Sequence, residues 1–467
     1  MTATAPSPAS NPASTKPRGS SGAYRTVGRS AGSKLVVMAL SGAISIVTIH
    51  LVISHFGVEA YAQYGLLVSV AALLPFADLG LASVVINAVS SSEDPDHDDA
   101  VRTSLVSAVR VILCSAAVIT ALGLGITLAG WWPALLGGGL MPGSGPVAAL
   151  LCVVVFSATL PLAVGQRVLT ALGLNHLQIL TQGLASPLFA ASVLVLVATG
   201  TNAGAYLAVF SYLGAAAIAA TGCLLAARRL PTTARRVLRD VPRVRTVPSI
   251  PVVGLAWPVL VAMVAEALAM QTDRLLLSHL ATTDELAEYN LSWSLASLLL
   301  QTISAAGIAL WPVFARARAR ADVSSPFGLA WAFAGVAALA AGTLALLMPF
   351  ASHLLSDGKI AISPWTAWAF AAFVVVQAAK YPLGMYLTDG RGLRAQVPAV
   401  LLMVVINLGI SWALVGPMGA AGPVVGSVVA VLVCQVCYYT VLVRRDLARR
   451  RAELAAAAPA SASASSD

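Results

Sequence analysis

The residues of this sequence that can do chemistry are charged side chains set within long apolar stretches. Residues 252–278 are long enough to cross a bilayer as a helix, yet they contain Glu266, Asp273 and Arg274. An ionisable group at that depth is costly unless it faces protein, water or a partner. Glu266 and Asp273 are seven residues apart and share nearly one helix face, whereas Arg274 lies about 100° further round. We interpret the stretch as the opening of the second half of a transporter.

Three further charges lie at membrane depth in other apolar stretches. Asp78 is in the run ADLGLAS, Arg110 is about two turns into the third span, and Lys380 is in the run QAAKYPLG. Each side chain can line a cavity, or it can snorkel to the interface or form a structural ion pair. Asp78 can pair with Arg110, since the two lie on adjacent spans at similar depth. A cavity lined mostly by cations favours an anionic cargo such as phosphate or pyrophosphate.

Glu266 is the first candidate for coupling transport to an ion gradient, because it lies nearest the middle of its span. A carboxyl group that is neutral when desolvated and charged when hydrated gives two conformations different affinities for a proton or cation. The alternative is that Glu266 pairs with Arg274, eight residues further on, or with a charge on another helix. Asp78 and Asp273 are the other candidates for ion coupling.

Composition assigns the chain to the integral membrane proteins. It is 58% hydrophobic and 10% charged, against about 45–50% and about 25% in soluble domains. The net charge of +9 follows the positive-inside rule, and we do not expect nucleic acid to bind. All five cysteines lie in apolar runs, which argues against a disulfide framework. The sequence has no paired-histidine metal motif, nucleophile elbow, Walker A lysine or dinucleotide glycine signature, so we predict no enzyme activity, metal or cofactor.

The apolar stretches predict about twelve membrane-spanning helices, because isolated strands cannot satisfy their backbone groups in lipid. Arginines crowd the loops on one side, whereas Lys359 is essentially alone on the other, so both termini are predicted to be cytoplasmic. The predicted spans are residues 34–54, 65–89, 104–130, 146–171, 177–199, 203–227, 252–278, 289–315, 326–350, 363–387, 396–415 and 419–443.

A basic loop divides these spans into six and six. The two halves open alike, with LVISH before Tyr64 and LLLSH before Tyr289, which fits a parallel repeat. The predicted fold class is therefore an all-α integral membrane protein, with two six-helix lobes around a central cavity. The predicted domains are a disordered cytoplasmic tail at 1–33, an N-terminal lobe at 34–227, a basic cytoplasmic linker at 228–250, a C-terminal lobe at 251–443, and a basic then low-complexity cytoplasmic tail at 444–467.

Two features outside the predicted cavity have structural interpretations. Gly419, Gly422 and Gly426 recur in the last span and predict close helix packing. The basic linker is predicted to lie against anionic lipid headgroups, with a regulatory site as the alternative.

Two runs of the sequence resemble the openings of the two lobes of bacterial polysaccharide flippases. They are HFGVEAYAQYG, followed by ADLGLAS, and AMQTDRLLLSHLATTDELAEYN. Those flippases share a superfamily with multidrug and toxic-compound extruders. The resemblance covers residues 34–443 and implies twelve helices in two facing lobes. It also implies export of polyprenyl-pyrophosphate-linked oligosaccharide from the inner to the outer leaflet.

The resemblance also implies roles for individual residues. Asp78 and Asp273 occupy motif positions, and Arg110, Arg274 and Lys380 are the candidates for a cationic cavity that binds substrate. This chain differs from the family in its alanine-rich composition and its Ser/Pro-rich N-terminal tail, neither of which touches the motifs.

Three functions fit these patterns. The first is a flippase of the bacterial cytoplasmic membrane that exports lipid-linked oligosaccharide by alternating access for cell-envelope polysaccharide synthesis. The second is an ion-coupled exporter of drugs or small molecules with the same fold, and the third is a non-transporting scaffold of an envelope-synthesis complex. The cations favour the first, because exporters of organic cations need an acidic cavity. The predicted partners are the lipid-linked oligosaccharide, membrane lipids, a coupling proton or sodium ion, and polymerase or glycosyltransferase proteins.

Overall fold

The structure is a computed structural model that describes residues 20–72, 81–243, 271–308, 325–388 and 390–463, together with residues 264, 268, 310 and 314. Within these residues the chain forms helices and connecting turns, without strands. The predicted ion-coupling residues Glu266 and Asp78 lie outside the described residues.

The first half of the described chain contains nine α-helices, several of them long enough to cross a bilayer. They are α1 (Ser20–Ala72), α2 (Leu81–Ser90), α3 (Asp99–Leu128), α4 (Trp132–Leu136), α5 (Gly145–Ala171), α6 (Asn175–Gly183), α7 (Ala185–Ala198), α8 (Leu207–Arg229) and α9 (Pro231–Asp240), with short 3₁₀ turns at Gly137–Gly139 and Gly204–Tyr206.

The second half continues the same architecture. Its helices are α10 (residues 271–280), α11 (Thr283–Ile308), α12 (Phe327–Ser356), α13 (Pro364–Tyr386), α14 (Gly390–Met418), α15 (Ala421–Val431), a π-helical segment (Leu432–Cys437) and α16 (Tyr438–Ser463).

Local sequence explains where the first helices break. Gly57 adopts φ 89° and ψ 172°, a conformation that favours glycine, and so divides α1 into two membrane helices at one residue. At the start of α3 the Asp98 side chain accepts a hydrogen bond from the Ala100 amide at 2.7 Å, which caps the helix.

Eight described helical segments are long and apolar enough to cross a membrane, judged by length and composition. Each of the twelve predicted spans also contains described helical residues. The chain is therefore an all-α, multi-pass membrane protein, as the sequence predicted. The eight segments are Leu40–Val70, Asp99–Leu128, Gly145–Ala171, Leu180–Ala198, Gly204–Arg229, Phe327–Ser356, Arg394–Met418 and Ala421–Ala452.

Helix packing separates the molecule into two groups that meet along α1. In the first half α5 packs on α3 and α8, and in the second half α13 packs on α11, α12 and α15. Between the groups, α1 packs against α11 and α12. We call the side with the α2–α3 loop and α9 the arginine-rich side, and the side with Lys359 the opposite side.

Three hydrophobic clusters show how the two halves meet. The largest cluster includes Tyr61 and Leu66 from the first half with Tyr289 and Phe370 from the second. A second cluster lies toward the arginine-rich side and consists of residues of the first half alone. A third cluster consists of residues of the second half alone. Among the described residues, the halves thus share a core toward the opposite side and have separate cores toward the arginine-rich side.

Candidate functional site

Asp273 on α10 is a buried carboxylate without an ion-pair partner among the described residues. It is 3% exposed. The hydroxyls of Ser427 and Tyr289 both donate to its Oδ2 atom, at 3.1 Å and 3.3 Å. Its Oδ1 atom is buried and has no hydrogen-bond partner in the described part of the chain. A carboxylate held this way lacks half of the compensation that burial normally requires.

Polar side chains of α14 and α15 extend the hydrogen-bond network of Asp273 within the second half. Asn407 donates from Nδ2 to Ser427 Oγ at 3.0 Å. Ser411, one turn further along α14, donates to Asn407 Oδ1 at 2.7 Å and lies 3.3 Å from the Pro423 carbonyl oxygen. All three polar side chains are buried. We call these residues the Asp273 cluster.

Two glycines of α15 bring these side chains together. A Cβ atom on Gly426 would lie 2.3 Å from Ser411 Oγ, and one on Gly422 would lie 2.5 Å from the Leu414 carbonyl oxygen. Such distances are too short for real atoms, so only glycine lets α15 approach α14 this closely. The predicted role of these two glycines in helix packing is confirmed.

The donor set of the Asp273 cluster suits a hard cation or a proton. It combines one carboxylate with hydroxyl, amide and backbone carbonyl oxygens, which are the ligands that hard cations prefer. A single carboxylate balances one positive charge. The described residues contain no group of three or more His, Cys, Asp and Glu side chains with the spacing of a metal site.

Arg274 follows Asp273 in sequence but points elsewhere, since consecutive residues of a helix are about 100° apart. Its Nε donates to Asn290 Oδ1 at 2.8 Å and its Nη1 to Gln271 Oε1 at 3.3 Å. Its guanidinium carbon lies 5.8 Å from the ring centroid of Tyr289 and 5.5 Å from that of Trp293. These partners are all neutral, so among the described residues no carboxylate forms an ion pair with Arg274.

The neighbours of Arg274 lie on the boundary between the two halves. Asn290 donates from Nδ2 to the Ala62 carbonyl oxygen of α1 at 3.3 Å. One turn further along α11, Ser294 Oγ lies 3.3 Å from the Tyr61 hydroxyl. Arg274 is therefore one residue removed from the first half of the molecule.

Closer to the opposite side, backbone carbonyls of the first half are contacted by side chains of the second half. Lys359 donates from Nζ to the carbonyl oxygens of Ile53 and Ser54, at 3.3 Å and 3.2 Å. His279 Nε2 lies 3.0 Å from the Ala134 carbonyl oxygen. Ile53 and Ser54 precede the break at Gly57, so Lys359 complements the partial negative charge at the end of a helix. These contacts join the two halves on the opposite side.

Arg110 holds the linker helix α9. It donates from Nη2 to the Asp240 carbonyl oxygen at 2.7 Å and from Nε to that of Val241 at 2.9 Å. These carbonyls end α9, where a cation is favourable. The structure thus gives Arg110 backbone partners on the arginine-rich side, and its predicted contact with substrate stays a prediction.

The other end of α9 is held by an aspartate. Asp96 accepts hydrogen bonds at its Oδ1 from the amides of Thr232 and Thr233, both at 2.9 Å. Partial burial of Asp96 would raise the pKa of its carboxyl, but the hydrogen bonds from Thr233 and Thr232 outweigh it and hold the pKa below its usual value. The helix α9, which is the described helix of the basic linker, is therefore held against the first half at both of its ends.

The three predicted cationic residues have different neighbours in the described part of the chain. Arg110 contacts α9, and Arg274 lies at the boundary between the halves. Lys380 on α13 lies 5.7 Å from the ring centroid of Tyr381. That the three line one cavity stays a prediction.

The polar partners of Asp273 and Arg274 are the functional candidates that sequence reasoning missed. Asn407, Ser411 and Ser427 are uncharged residues in apolar spans, and Asn290 follows the tyrosine that opens its span. Single buried polar residues in membrane helices are themselves a signal. The spacing of Asn407 and Ser411 on one helix face would have added to it.

The fold is that of known transporters. A multidrug resistance MATE family transporter of the MOP superfamily, in an inward-facing conformation, matches with a TM-score of 0.66 and 15% identity, over 89% of this chain and 99% of that chain. The lipid II flippase MurJ, in an inward closed conformation, matches with a TM-score of 0.60 and 11% identity, over 89% of each chain.

A third structure is that of another MOP superfamily transporter. A MOP superfamily transporter from Pyrococcus furiosus Vc1, described by the reverse polarity of its binding pocket, matches with a TM-score of 0.54 and 15% identity, over 91% of this chain and 96% of that chain. No family model and no curated protein sequence matches this chain. At these identities the likeness shows the fold alone, and it confirms the predicted fold class of an all-α integral membrane protein.

Proposed function

We propose that this protein is a transporter of the MOP superfamily that exports a polyprenyl-pyrophosphate-linked oligosaccharide across a bacterial cytoplasmic membrane by alternating access. In this proposal the arginine-rich side faces the cytoplasm, and the two halves at residues 34–227 and 251–443 rock about their shared core. The relatives in fold support transport, and the lipid II flippase among them supports a lipid-linked substrate.

The position of Arg274 is the observation that carries the choice of substrate. It is a half-buried guanidinium at the boundary between the halves, and its partners among the described residues are amides and aromatic rings. A guanidinium can donate two parallel hydrogen bonds to the oxygens of one phosphate, and its positive charge is opposite to that of the phosphate. Trp293 and Tyr289 beside it offer flat apolar surface for the rest of a ligand.

The Asp273 cluster supports coupling of this transport to an ion gradient. A buried carboxylate with an unpaired oxygen is stabilised when a sodium ion or a proton binds, and conformations that open or close the cluster then differ in ion affinity. Only such a difference lets a gradient bias the two facing states. Glu266 and Asp78 remain the alternative carboxylates for this role.

A second candidate function is export of drugs or small molecules. It is favoured by the TM-score to the MATE family transporter, which is higher than the TM-score to the flippase. The two candidates differ in cargo charge, because a pyrophosphate lipid needs a cation in the cavity and an organic cation does not.

Reconstitution in proteoliposomes tests the two cargoes against each other. A fluorescent polyprenyl-pyrophosphate disaccharide reports flipping through its accessibility to an external quencher, and ethidium reports export of an organic cation. Arg274→Gln should slow flipping by about tenfold or more, because a charge-assisted contact is worth about 1.5–3 kcal/mol. Arg274→Lys should retain part of the rate.

The matched control is Arg235→Gln, since Arg235 is exposed on α9. It should flip the probe at the wild-type rate. Unchanged flipping in Arg274→Gln would contradict the assignment of this residue. Ethidium export without flipping of the lipid probe would replace the flippase by the second candidate.

A further inference from the structure

We propose, on the premise of ion-coupled transport, that Asn290 is the positioning residue that links ion binding at Asp273 to the contact between the halves. Asn290 is 2% exposed and lies on α11, about 10 Å along the helix from its first residue Thr283. It does not hydrogen-bond the Asp273 carboxylate, and it reaches the proposed cargo-binding residue Arg274 through one hydrogen bond.

Two adjacent residues of α10 pair with two adjacent residues of α11 in the same register. Asp273 pairs with Tyr289 and Arg274 pairs with Asn290, each partner being 16 residues away. Because neighbouring residues of a helix point about 100° apart, the two pairs face different parts of the molecule. The first pair faces Ser427 inside the second half, and the second pair faces the first half.

The two pairs are also in contact with each other. Tyr289 donates its hydroxyl to Asp273 Oδ2 and presents its ring to the Arg274 guanidinium, 5.8 Å from the ring centroid. A cation at the carboxylate cancels the negative charge beside Arg274 and competes with the Tyr289 hydroxyl for Oδ2. Both effects act on the position of the guanidinium, which Asn290 holds through its Oδ1 atom.

The Asn290 amide has its orientation fixed by this network. Its oxygen accepts from Arg274, so its NH₂ group must face the Ala62 carbonyl oxygen of α1. A movement of Arg274 is therefore transmitted to the first half through the Asn290 side chain. The backbone carbonyl of Ala62 gives this contact a fixed target on α1.

Gly65 allows this contact to form. A Cβ atom at Gly65 would lie 2.3 Å from both Cγ and Nδ2 of Asn290. The two halves meet here at the closest approach that a glycine permits, so the Asn290 side chain lies directly against the α1 backbone. A methyl group at position 65 would push Asn290 away.

The test measures ion binding and closure of the halves separately. Spin labels at Asn202 and Asp284, which are exposed on the opposite side of the two halves, report the distance between them by pulsed electron paramagnetic resonance. Each variant is compared in sodium chloride and choline chloride, and at acidic and alkaline pH. Ion-dependent thermal stabilisation of the same samples reports binding.

Asn290→Ala should keep the ion-dependent stabilisation and lose the ion-dependent change in distance. Asn290→Asp keeps an acceptor for Arg274 but cannot donate to Ala62, and it should lose the change as well. Gly65→Ala should have the same effect. The controls are Gln301→Ala, exposed on the same helix, and Gly125→Ala, a helical glycine with open space around it, and both should respond like the wild type.

The outcomes separate the link from the function on which it rests. A wild type without ion-dependent stabilisation or distance change would remove ion coupling itself. A responsive wild type with an equally responsive Asn290→Ala would overturn only the link. Loss of ion-dependent stabilisation in Asn290→Ala would place Asn290 within the ion site and also overturn it.

Discussion

Asp240 and Asp273 are both 3% exposed, but their surroundings differ in kind. Asp240, at the end of α9, lies 3.5 Å from Arg102 and from Arg239 and 4.0 Å from Arg243. Asp273 accepts hydrogen bonds from two hydroxyls, and its other oxygen has no partner among the described residues. Within the described part of the chain, arginines match the charge of Asp240, whereas no cation matches that of Asp273.

Partners, and not burial, distinguish the structural charge of Asp240 from the candidate functional charge of Asp273. A buried ion pair fixes geometry, and removing one partner is costly because the other charge is left behind. A buried carboxylate without a cation remains available to one from outside. The same contrast separates Arg110, which holds two backbone carbonyls, from Arg274, which lies at the boundary of the halves.

The largest effect on stability is expected at Asp240. Asp240→Asn leaves the guanidinium of Arg102, whose side chain is 25% exposed, without its buried counter-charge. We expect a loss of about 3 kcal/mol of unfolding free energy, measured by denaturation in detergent micelles. Asp99→Asn, at an exposed pair with the same arginine, should lose less than about 1 kcal/mol. Equal losses of unfolding free energy in the two variants would mean that the buried pair contributes no more to stability than the exposed pair.

A smaller loss is expected at Arg110. Arg110→Gln removes two hydrogen bonds from a charged donor to the end of α9, which should cost about 2 kcal/mol. If the role is structural, the variant should transport normally once folded, as Arg235→Gln should. Lost transport at unchanged stability would instead restore Arg110 as a substrate-binding residue.

Asp96 should have the next smaller effect, and one that depends on pH. Asp96→Asn weakens the cap of α9 and should cost about 1 kcal/mol at neutral pH. The pKa of this carboxyl is lowered on folding from its ordinary 3.8, so its contribution is present above that value and disappears as the pH falls through the lower folded pKa. Wild type and variant should converge in strongly acidic buffer. A constant difference at all pH values would contradict the lowered pKa.

Particular residues show how far the sequence alone could lead. Charge within an apolar span singled out Asp273 and Arg274, and small-residue spacing predicted the packing at Gly422 and Gly426. The contact of Arg110 with α9 could not be predicted, because it depends on where a linker folds back. Asn290 and Ser427 were missed because the cost of a buried polar group was weighed only for charged residues. Which side chains meet across spans is set by tertiary packing, which a single sequence does not show.

Asp273→Asn should have the smallest effect on stability and the largest on ion response. The substitution removes an uncompensated buried charge, so the unfolding free energy without added ion should stay constant or rise. The most direct measurement is the melting temperature of wild type and variant in sodium chloride against choline chloride, and in acidic against alkaline buffer. The wild type should be stabilised by sodium or by acid and the variant by neither, because only the wild type binds the ion. Equal stabilisation of both proteins would show that the coupling ion binds elsewhere.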